Sequence, residues 1–200
     1  MKKTTFALAA LAAVAFTGTQ ANAQSALPLS FEVRGGAAIP TGDFGDLAST
    51  GFGLNGNVTF NVTPVVGIYG GYTLNRFGIN DDLGELGDDV TLTEQGFDVG
   101  LKARFASPTG LPVTPFFRGG AIFHKLSIDE DFVDPGEDNE TDMKLGFEVG
   151  GGVEVGLSRN ITLTPQVGYS QFNPSEDDDT DDDDIDVSNI NVGVGINIRL

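Results

Sequence analysis

The chain has 200 residues and a strong excess of acid, with 29 Asp and Glu against 11 Lys and Arg and a net charge of −18. A nucleic-acid-binding function is excluded, because such a chain offers no basic stripe along which phosphates can bind. It contains no Cys and a single His, which excludes disulfide frameworks, thiolate zinc sites, a Cys nucleophile and multi-His metal centres.

Residues 1–23 have the three parts of a secretory signal peptide. Residues 1–3 are basic, residues 6–16 are apolar, and residues 21–23 (ANA) match the small-x-small pattern of a cleavage site. We expect cleavage between Ala23 and Gln24, which leaves residues 24–200 as one domain. The alternative of a short membrane anchor is disfavoured, because a helical span needs about 20 apolar residues. Since no later segment has that length, entry into a membrane would require strands.

Eight segments of the mature chain alternate between apolar and other residues with a period of two. This period predicts β-strands that each have one apolar face, and no segment shows the 3.6-residue period of an amphipathic helix. The sequence therefore predicts an all-β fold. The eight segments are residues 29–39, 52–62, 66–74, 97–105, 113–123, 145–157, 161–169 and 190–200.

The connections between these segments alternate in length. Residues 63–65, 106–112 and 158–160 are short and turn-like, whereas the other four connections are long. If successive strands are antiparallel, all long connections lie at one end of the sheet and all short turns at the other. We therefore predict an eight-stranded antiparallel up-and-down β-barrel. The long connections are residues 41–51, 75–96, 124–144 and 170–189.

The charged residues divide between strands and connections. Of the 29 acids, 25 fall in the four long connections. Nine charged residues fall in the strands. All of them occupy the alternate positions that point away from the apolar face, so the apolar face of the eight segments carries no charge. Because an unpaired buried charge costs several kcal/mol, we expect these four acids and five bases to form an ion-paired plug in the lumen. They are Glu32, Arg34, Asp98, Lys102, Arg104, Arg118, Glu148, Glu154 and Arg199.

The alternation by itself does not say which face points inward. A lipocalin-like barrel puts its apolar face inside around a ligand, whereas an outer-membrane barrel turns it towards lipid. Two observations favour the membrane barrel. The polar face is crowded with Gly, which makes room in a narrow lumen, and aromatic residues concentrate towards both ends of the apolar face, as in interfacial girdles.

Three stretches resemble a known family. Residues 33–44 (VRGGAAIPTGDF) with 51–53 (GFG) look like the first hairpin of small bacterial outer-membrane barrels of the OmpA, OmpX and opacity-protein type, and residues 114–121 and 150–165 look like later hairpins. The resemblance implies an outer-membrane location with both termini periplasmic and long loops extracellular. It also implies contact with membrane lipid and lipopolysaccharide, and insertion by machinery that reads the C-terminal strand, here ending in Leu200 in place of the usual aromatic residue.

Two features invite a chemical interpretation. The single His124 lies near the top of the fifth strand on the lumen parity, and we expect a structural hydrogen-bonding role rather than catalysis. Residues 177–184 (DDDTDDDD) lack the Gly and Glu pattern of an EF-hand, so a solvated, self-repelling loop or an adaptation to high salt is favoured over a calcium centre. The alternative interpretation of this acidic segment is weak Ca²⁺ or Mg²⁺ binding. Its candidate ligands are Asp177, Asp179, Asp181 and Asp183.

The sequence thus predicts a non-enzymatic outer-membrane barrel with a structural or surface-interaction role. It predicts no cofactor, no nucleic-acid partner and a monomer, and it leaves the partner of the loops unknown. The alternative is a soluble secreted or periplasmic lipocalin-like barrel that binds an apolar ligand.

Overall fold

A computed structural model describes residues 29–79, 91–107, 112–129, 142–174 and 186–200. These residues form eight strands and one short helix, α1, spanning Asp43–Leu47. Within this part of the chain no helix has the length and apolarity of a membrane span. The strands are β1 (Leu29–Thr41), β2 (Ala48–Asn61), β3 (Val66–Ile79), β4 (Thr91–Arg104), β5 (Val113–Asp129), β6 (Lys144–Gly156), β7 (Ile161–Phe172) and β8 (Val187–Arg199).

Each strand pairs antiparallel with its neighbours in chain order, and β8 closes the sheet by pairing with β1. The predicted eight-stranded antiparallel barrel is therefore confirmed. The stagger of the barrel can be followed from one paired residue to the next across all eight strands. A path that starts at Phe31 of β1 returns to β1 at Thr41, ten residues further along the strand. Such a stagger in eight strands implies a strand tilt of about 40° and an interior that side chains fill. The path is Phe31, Val58, Gly70, Val99, Ala121, Phe147, Gln171, Ser188 and Thr41.

The apolar face of the sheet points outward and the polar face points into the barrel. Val33 is 69 % exposed and Leu101 57 %, whereas the intervening charged residues of the same strands are buried, among them Glu32 and Lys102. A water-soluble barrel with an apolar ligand cavity requires the opposite arrangement. The lipocalin-like alternative is thus excluded by the direction of the side chains.

Aromatic side chains stand on the outer surface near both ends of the apolar band. On β4 and just beyond it, Phe97 and Phe105 are 54 % and 56 % exposed and lie eight residues apart. Eight residues rise about 27 Å along a strand, or about 20 Å along the barrel axis at this tilt. That height approaches the roughly 25 Å of a membrane barrel's apolar band. The upper aromatic belt, at the long-connection end, is formed by Phe52, Tyr72, Phe97, Phe123, Phe147 and Tyr169.

Most strands extend further towards the long connections than their alternation predicted. β3 runs to Ile79 instead of residue 74, and β4 begins at Thr91 instead of residue 97. β5 and β7 also end later, and β2, β6 and β8 begin earlier, so all four long connections were predicted too long. The reason is that the two faces exchange character above the upper aromatic belt. Arg76 is exposed on the outer face there, while its neighbour Phe77 is buried inside.

Within the eight predicted segments the outer face is uncharged as expected, whereas the strand ends that extend beyond them carry Arg76 and Lys125 on that face. Above the belt a set of polar residues points outward, which we call the outer polar ring. Two Tyr hydroxyls of the belt donate into it, from Tyr72 to Gln95 Oε1 and from Tyr169 to Gln171 Oε1, both at 2.9 Å. The ring consists of Arg76, Gln95, Lys125 and Gln171, and Thr93 on the same face is only 5 % exposed.

The first connection contains a helix that no periodicity predicted, because α1 has only five residues. Gly42 precedes it with φ of 60°, in the region that favours glycine, and lets the chain leave β1 and turn at once. The turn directs Phe44 back over the barrel mouth, where its ring meets Phe77 edge-on at 5.2 Å between centroids. The short helix thus contributes a buried aromatic residue to the interior.

Candidate functional site

The barrel interior is the candidate functional site, and it consists of four layers stacked along the axis. At the short-turn end lies a cluster of charged residues around Glu154, which we call the Glu154 cluster. Above it follow the Arg118 cluster and the His124 cluster. The apolar cap closes the long-connection end.

The Glu154 cluster places three cations on one carboxylate. Lys102 Nζ lies 2.9 Å from Oε1 of Glu154, Arg104 Nε 3.0 Å from the same oxygen, and Arg199 Nη2 3.0 Å from Oε2. Lys102 also contacts Glu32 at 3.4 Å. Glu154 is only 2 % exposed whereas the Arg199 side chain is 47 % exposed. The cluster is therefore a buried carboxylate held by two buried cations and one at the rim.

Uncharged groups complete this layer. Gln166 Nε2 donates to Glu32 Oε1 at 2.8 Å, and Arg104 Nη1 donates to Asn61 Oδ1 at 2.8 Å. The ammonium of Lys102 lies 4.0 Å from the ring centroid of the inward-pointing Phe116. Each buried charged group of the cluster thus has a second partner, which a buried ion pair needs to offset its desolvation.

The Arg118 cluster occupies the middle of the barrel. Arg118 Nη2 and the Tyr69 hydroxyl both donate to Glu148 Oε1 at 2.6 Å, and the guanidinium of Arg118 stacks 4.1 Å from the centroid of the Tyr69 ring. Arg34 points into the same layer. Among the described residues no carboxylate lies within ion-pair distance of Arg34.

The His124 cluster is a histidine clamped between two carboxylates. Nδ1 lies 2.7 Å from Glu94 Oε1 and Nε2 lies 2.8 Å from Asp98 Oδ1. For both contacts to be hydrogen bonds to ionised carboxylates, both ring nitrogens must carry a hydrogen. The cluster is then a buried imidazolium with an acid on each side, and His124 itself is 2 % exposed.

The second oxygen of each of these carboxylates is also occupied. Asp98 Oδ2 accepts from Thr73 at 2.7 Å and from Asn55 at 3.0 Å. Glu94 Oε2 accepts from the amides of two further residues, Asn75 at 3.0 Å and Asn189 at 2.7 Å. The layer is a satisfied hydrogen-bond network, and in the described ranges no three His, Asp or Glu side chains are arranged to hold a metal ion.

The apolar cap lies above His124, whose ring meets Phe172 edge-on at 5.9 Å. The cap has the composition of a soluble protein core, although it lies inside a barrel whose lower interior is polar. It excludes water from the His124 cluster at the long-connection end. The cap consists of Ala38, Phe44, Ala48, Phe77, Leu92, Ile122, Phe172 and Val187.

The structure brings eight of the nine predicted lumen residues into direct ion pairs or hydrogen bonds, and Arg34 is the exception. Sequence reasoning missed Glu94, which was counted among the acids of the second long connection although it lies in β4. Glu94 lies an even number of residues from Asp98 and Lys102 and therefore shares their face of the strand. This spacing is the signal that would have found it. The cleavage site Ala23–Gln24 and the candidate ligands Asp177, Asp179, Asp181 and Asp183 lie outside the described residues and stay predictions.

Glycines make room for the large lumen side chains, as at Gly100. A Cβ built on Gly100 would lie 2.6 Å from Cζ of the Tyr69 ring, closer than any real contact. The outward-facing Gly56 differs, because a Cβ there meets nothing within 4 Å. Tyr69 thus reaches Glu148 and Arg118 because β4 carries no side chain at position 100.

We expect Gly100→Ala to destabilise the folded barrel by about 1–3 kcal/mol, the usual cost of overpacking an interior. The matched change Gly56→Ala, on the open outer face, should be neutral within about 0.5 kcal/mol. Urea titrations of the two variants in lipid vesicles, followed by far-UV circular dichroism, make the comparison. Equal stability of both variants would contradict the tight packing of Tyr69.

Comparison with known proteins places this architecture in a family. Residues 6–197 match the family model described as the outer membrane protein beta-barrel domain. The chain belongs to this family. As a member of the outer membrane protein beta-barrel family, it is a protein of the bacterial outer membrane, which confirms the predicted location and agrees with the resemblance found in the sequence.

Individual relatives are distant. A "22 kDa outer membrane protein" of Rhizobium leguminosarum bv. viciae is 26% identical over 152 residues, which cover 74% of this chain and 66% of that protein. The chain thus spans slightly less than two thirds of the length of this relative.

Solved structures share the fold at low sequence identity. Neisserial surface protein A is 14% identical with a TM-score of 0.62, covering 88% of this chain and 100% of that one. Ail, the attachment invasion locus protein of Yersinia pestis, is 16% identical with a TM-score of 0.52, covering 85% and 97%. OprG of Pseudomonas aeruginosa is 15% identical with a TM-score of 0.50, covering 86% and 96%. These likenesses show the barrel fold.

Proposed function

We propose that this protein is a sealed, non-catalytic outer-membrane barrel that displays long acidic connections at the cell surface, in a structural or surface-interaction role. The filled interior carries this proposal. Three layers of charged residues, all ion-paired except Arg34, and an apolar cap occupy the lumen from the short-turn end to the long-connection end. An eight-stranded barrel leaves space for side chains but none for a water-filled channel once they are packed.

The surroundings of His124 argue against a catalytic role. A general acid or base must come within hydrogen-bond reach of a substrate atom. Both nitrogens of His124 are already engaged by Glu94 and Asp98, and the apolar cap covers the ring. A substrate would have to displace the cap and break two charged hydrogen bonds before reaching the imidazole.

The charge of the long connections supports a role at the cell surface. They hold most of the chain's 29 acids, whereas the whole chain has 11 Lys and Arg. Ail was crystallised in complex with the heparin analogue sucrose octasulfate, a polyanion. Acidic connections repel such a ligand and attract cations, so we infer cationic partners and weak, exchangeable Ca²⁺ or Mg²⁺, which can bridge the connections to phosphates of lipopolysaccharide.

The closed sheet supports a monomer, because pairing of β1 with β8 leaves no strand edge for another copy. The start of β1 and the end of β8 meet at the short-turn end, where Ser30 pairs with Arg199. With the long connections outside, this end faces the periplasm. The outward apolar row of β8, which ends at Leu200, is then available to the barrel-insertion machinery.

Single cysteines test the sealing and the orientation together, since the native chain contains no Cys. We expect Thr180→Cys, in the acidic connection between β7 and β8, to react with a membrane-impermeant maleimide on intact cells. Ser158→Cys, in the short turn after β6, should react only after the outer membrane is permeabilised. Thr164→Cys, a near-isosteric change at an interior position that is 0 % exposed, should stay unreactive in the folded barrel and react after unfolding.

The outcomes separate the parts of the proposal. Labelling of Ser158→Cys but not Thr180→Cys on intact cells would reverse the orientation. Labelling of folded Thr164→Cys would show that water and small solutes enter the lumen, and would overturn the sealed barrel.

A further inference from the structure

The unpaired Arg34 is the most unusual charged group in the interior. It lies in β1 between two small cavities, of about 10 and 20 Å³, and its side chain lines both. The three nearest interior carboxylates are already engaged. Glu32 accepts from Lys102 and Gln166, Glu148 from Arg118 and Tyr69, and Asp98 from His124, Thr73 and Asn55.

A second unsatisfied donor belongs to a residue that lines the larger cavity. Arg118 is 5 % exposed, and its Nε is a buried donor without a hydrogen-bond partner in the described part of the chain. Arg118 lines the 20 Å³ cavity together with Arg34, and polar side chains of Gln166, Ser170 and Asn191 complete the wall. Two arginine residues thus line one small cavity. A buried donor left without an acceptor costs about 1–3 kcal/mol, and more when it is charged.

The local charge has the sign that an anion requires. The layer contains two guanidiniums, Arg34 and Arg118, and one carboxylate, Glu148, which also lines the cavity. Glu148 is neutralised by its short contact with Arg118 Nη2, at 2.6 Å. Within this layer the excess of one positive charge resides on Arg34, and the His124 cluster above it carries the opposite excess, with two carboxylates on one imidazolium. The cavity exceeds the roughly 10–15 Å³ that one water molecule needs, so it has room for a single small ion.

We propose that the cavity between Arg34 and Arg118 binds one small monovalent anion of halide size, with chloride as the abundant occupant. The anion accepts hydrogen bonds from the guanidinium of Arg34 and from Nε of Arg118. It serves as the direct counterion that no side chain in the described ranges supplies to Arg34. This inference goes beyond the proposed surface role and does not depend on it.

Bromide identifies the site directly, because it replaces chloride and scatters anomalously. The mature chain, folded in detergent and crystallised from sodium bromide, should show one anomalous peak between Arg34 and Arg118. Water alone in that cavity would overturn the proposal. This measurement uses the native chain, so it decides the question even if a variant does not fold.

Thermal unfolding at constant sodium gives an independent test. Sodium is held constant because the acidic connections respond to cations. At about 0.15 M, sodium chloride or bromide should raise Tm by about 2–4 °C over sodium gluconate, whose anion is too large for the cavity. Arg34→Met should abolish this difference. Arg199→Met removes the same charge at the exposed rim and should retain it. A Tm that is independent of the anion in the native chain would contradict the site.

Discussion

Glu154→Gln should destabilise the folded barrel by about 3–5 kcal/mol, the cost of leaving buried cations without their acceptor. Glu154 is the only described carboxylate that three cations contact, and two of them, Lys102 and Arg104, are buried like Glu154 itself. The neutral amide keeps the shape of the side chain, so the loss reports on charge. Because the chain lacks Trp, far-UV circular dichroism during urea titration in vesicles is the suitable measurement.

The same cluster provides its own controls. Arg199→Gln removes the half-exposed cation of the cluster. It should lower the free energy of unfolding by no more than about 1 kcal/mol, because exposed ion pairs contribute little to stability. Lys102→Met combined with Glu154→Gln should cost clearly less than the sum of the two single changes, because both single changes remove the same contact between Lys102 and Glu154. Additive losses, or a Glu154→Gln barrel as stable as the native one, would show that the cluster does not act as a network.

Leu101→Arg is the second change with a large expected effect. Leu101 is 57 % exposed on the outer face of β4, midway between the exposed rings of Phe97 and Phe105. An Arg at the bilayer midplane of a barrel costs about 2–4 kcal/mol. We expect correspondingly lower stability of the variant in lipid vesicles, and loss of folded protein from the outer membrane of cells that produce it.

Gln95→Arg is the matched control, on the same strand and the same face. Gln95 belongs to the outer polar ring, where it accepts from the Tyr72 hydroxyl. A charge at the interface costs about 0–1 kcal/mol, so this variant should fold and insert almost normally. Equal tolerance of both Arg variants would contradict the membrane band defined by the two aromatic belts.

Sequence alone predicted the architecture because alternation repeats in every strand. Parity grouped Glu32, Lys102 and Glu154 on one face and Val33 and Leu101 on the other. The glycines of the polar face and the aromatic residues at both ends of the apolar face then assigned the first group to the interior. The same rule failed above the belt. At Arg76 and Phe77 the apolar parity changes face, so the alternating pattern ends although the strand continues.

The contacts inside the lumen could not be predicted in the same way. Parity states which face a residue is on, but not which residue lies across the barrel from it. The pair between Arg118 of β5 and Glu148 of β6 joins neighbouring strands, whereas the pair between Lys102 of β4 and Glu32 of β1 crosses the lumen. The pair between Lys102 and Glu32 depends on the stagger of ten residues around the barrel, and no local sequence pattern encodes this stagger. The isolation of Arg34 follows from the same geometry.

The exchange of faces above the belt also bears on how the barrel becomes fixed in the membrane. During insertion Phe44, Phe77 and Phe172 can cross hydrocarbon at little cost, because they are apolar. Once in water on the far side they pack together, and withdrawal requires that this packing be undone before any strand moves back. Arg76 and Gln95 outside resist the same movement, since it would draw them into hydrocarbon. The packing of the three rings and the positions of Arg76 and Gln95 therefore both oppose withdrawal of the strand tips into the bilayer.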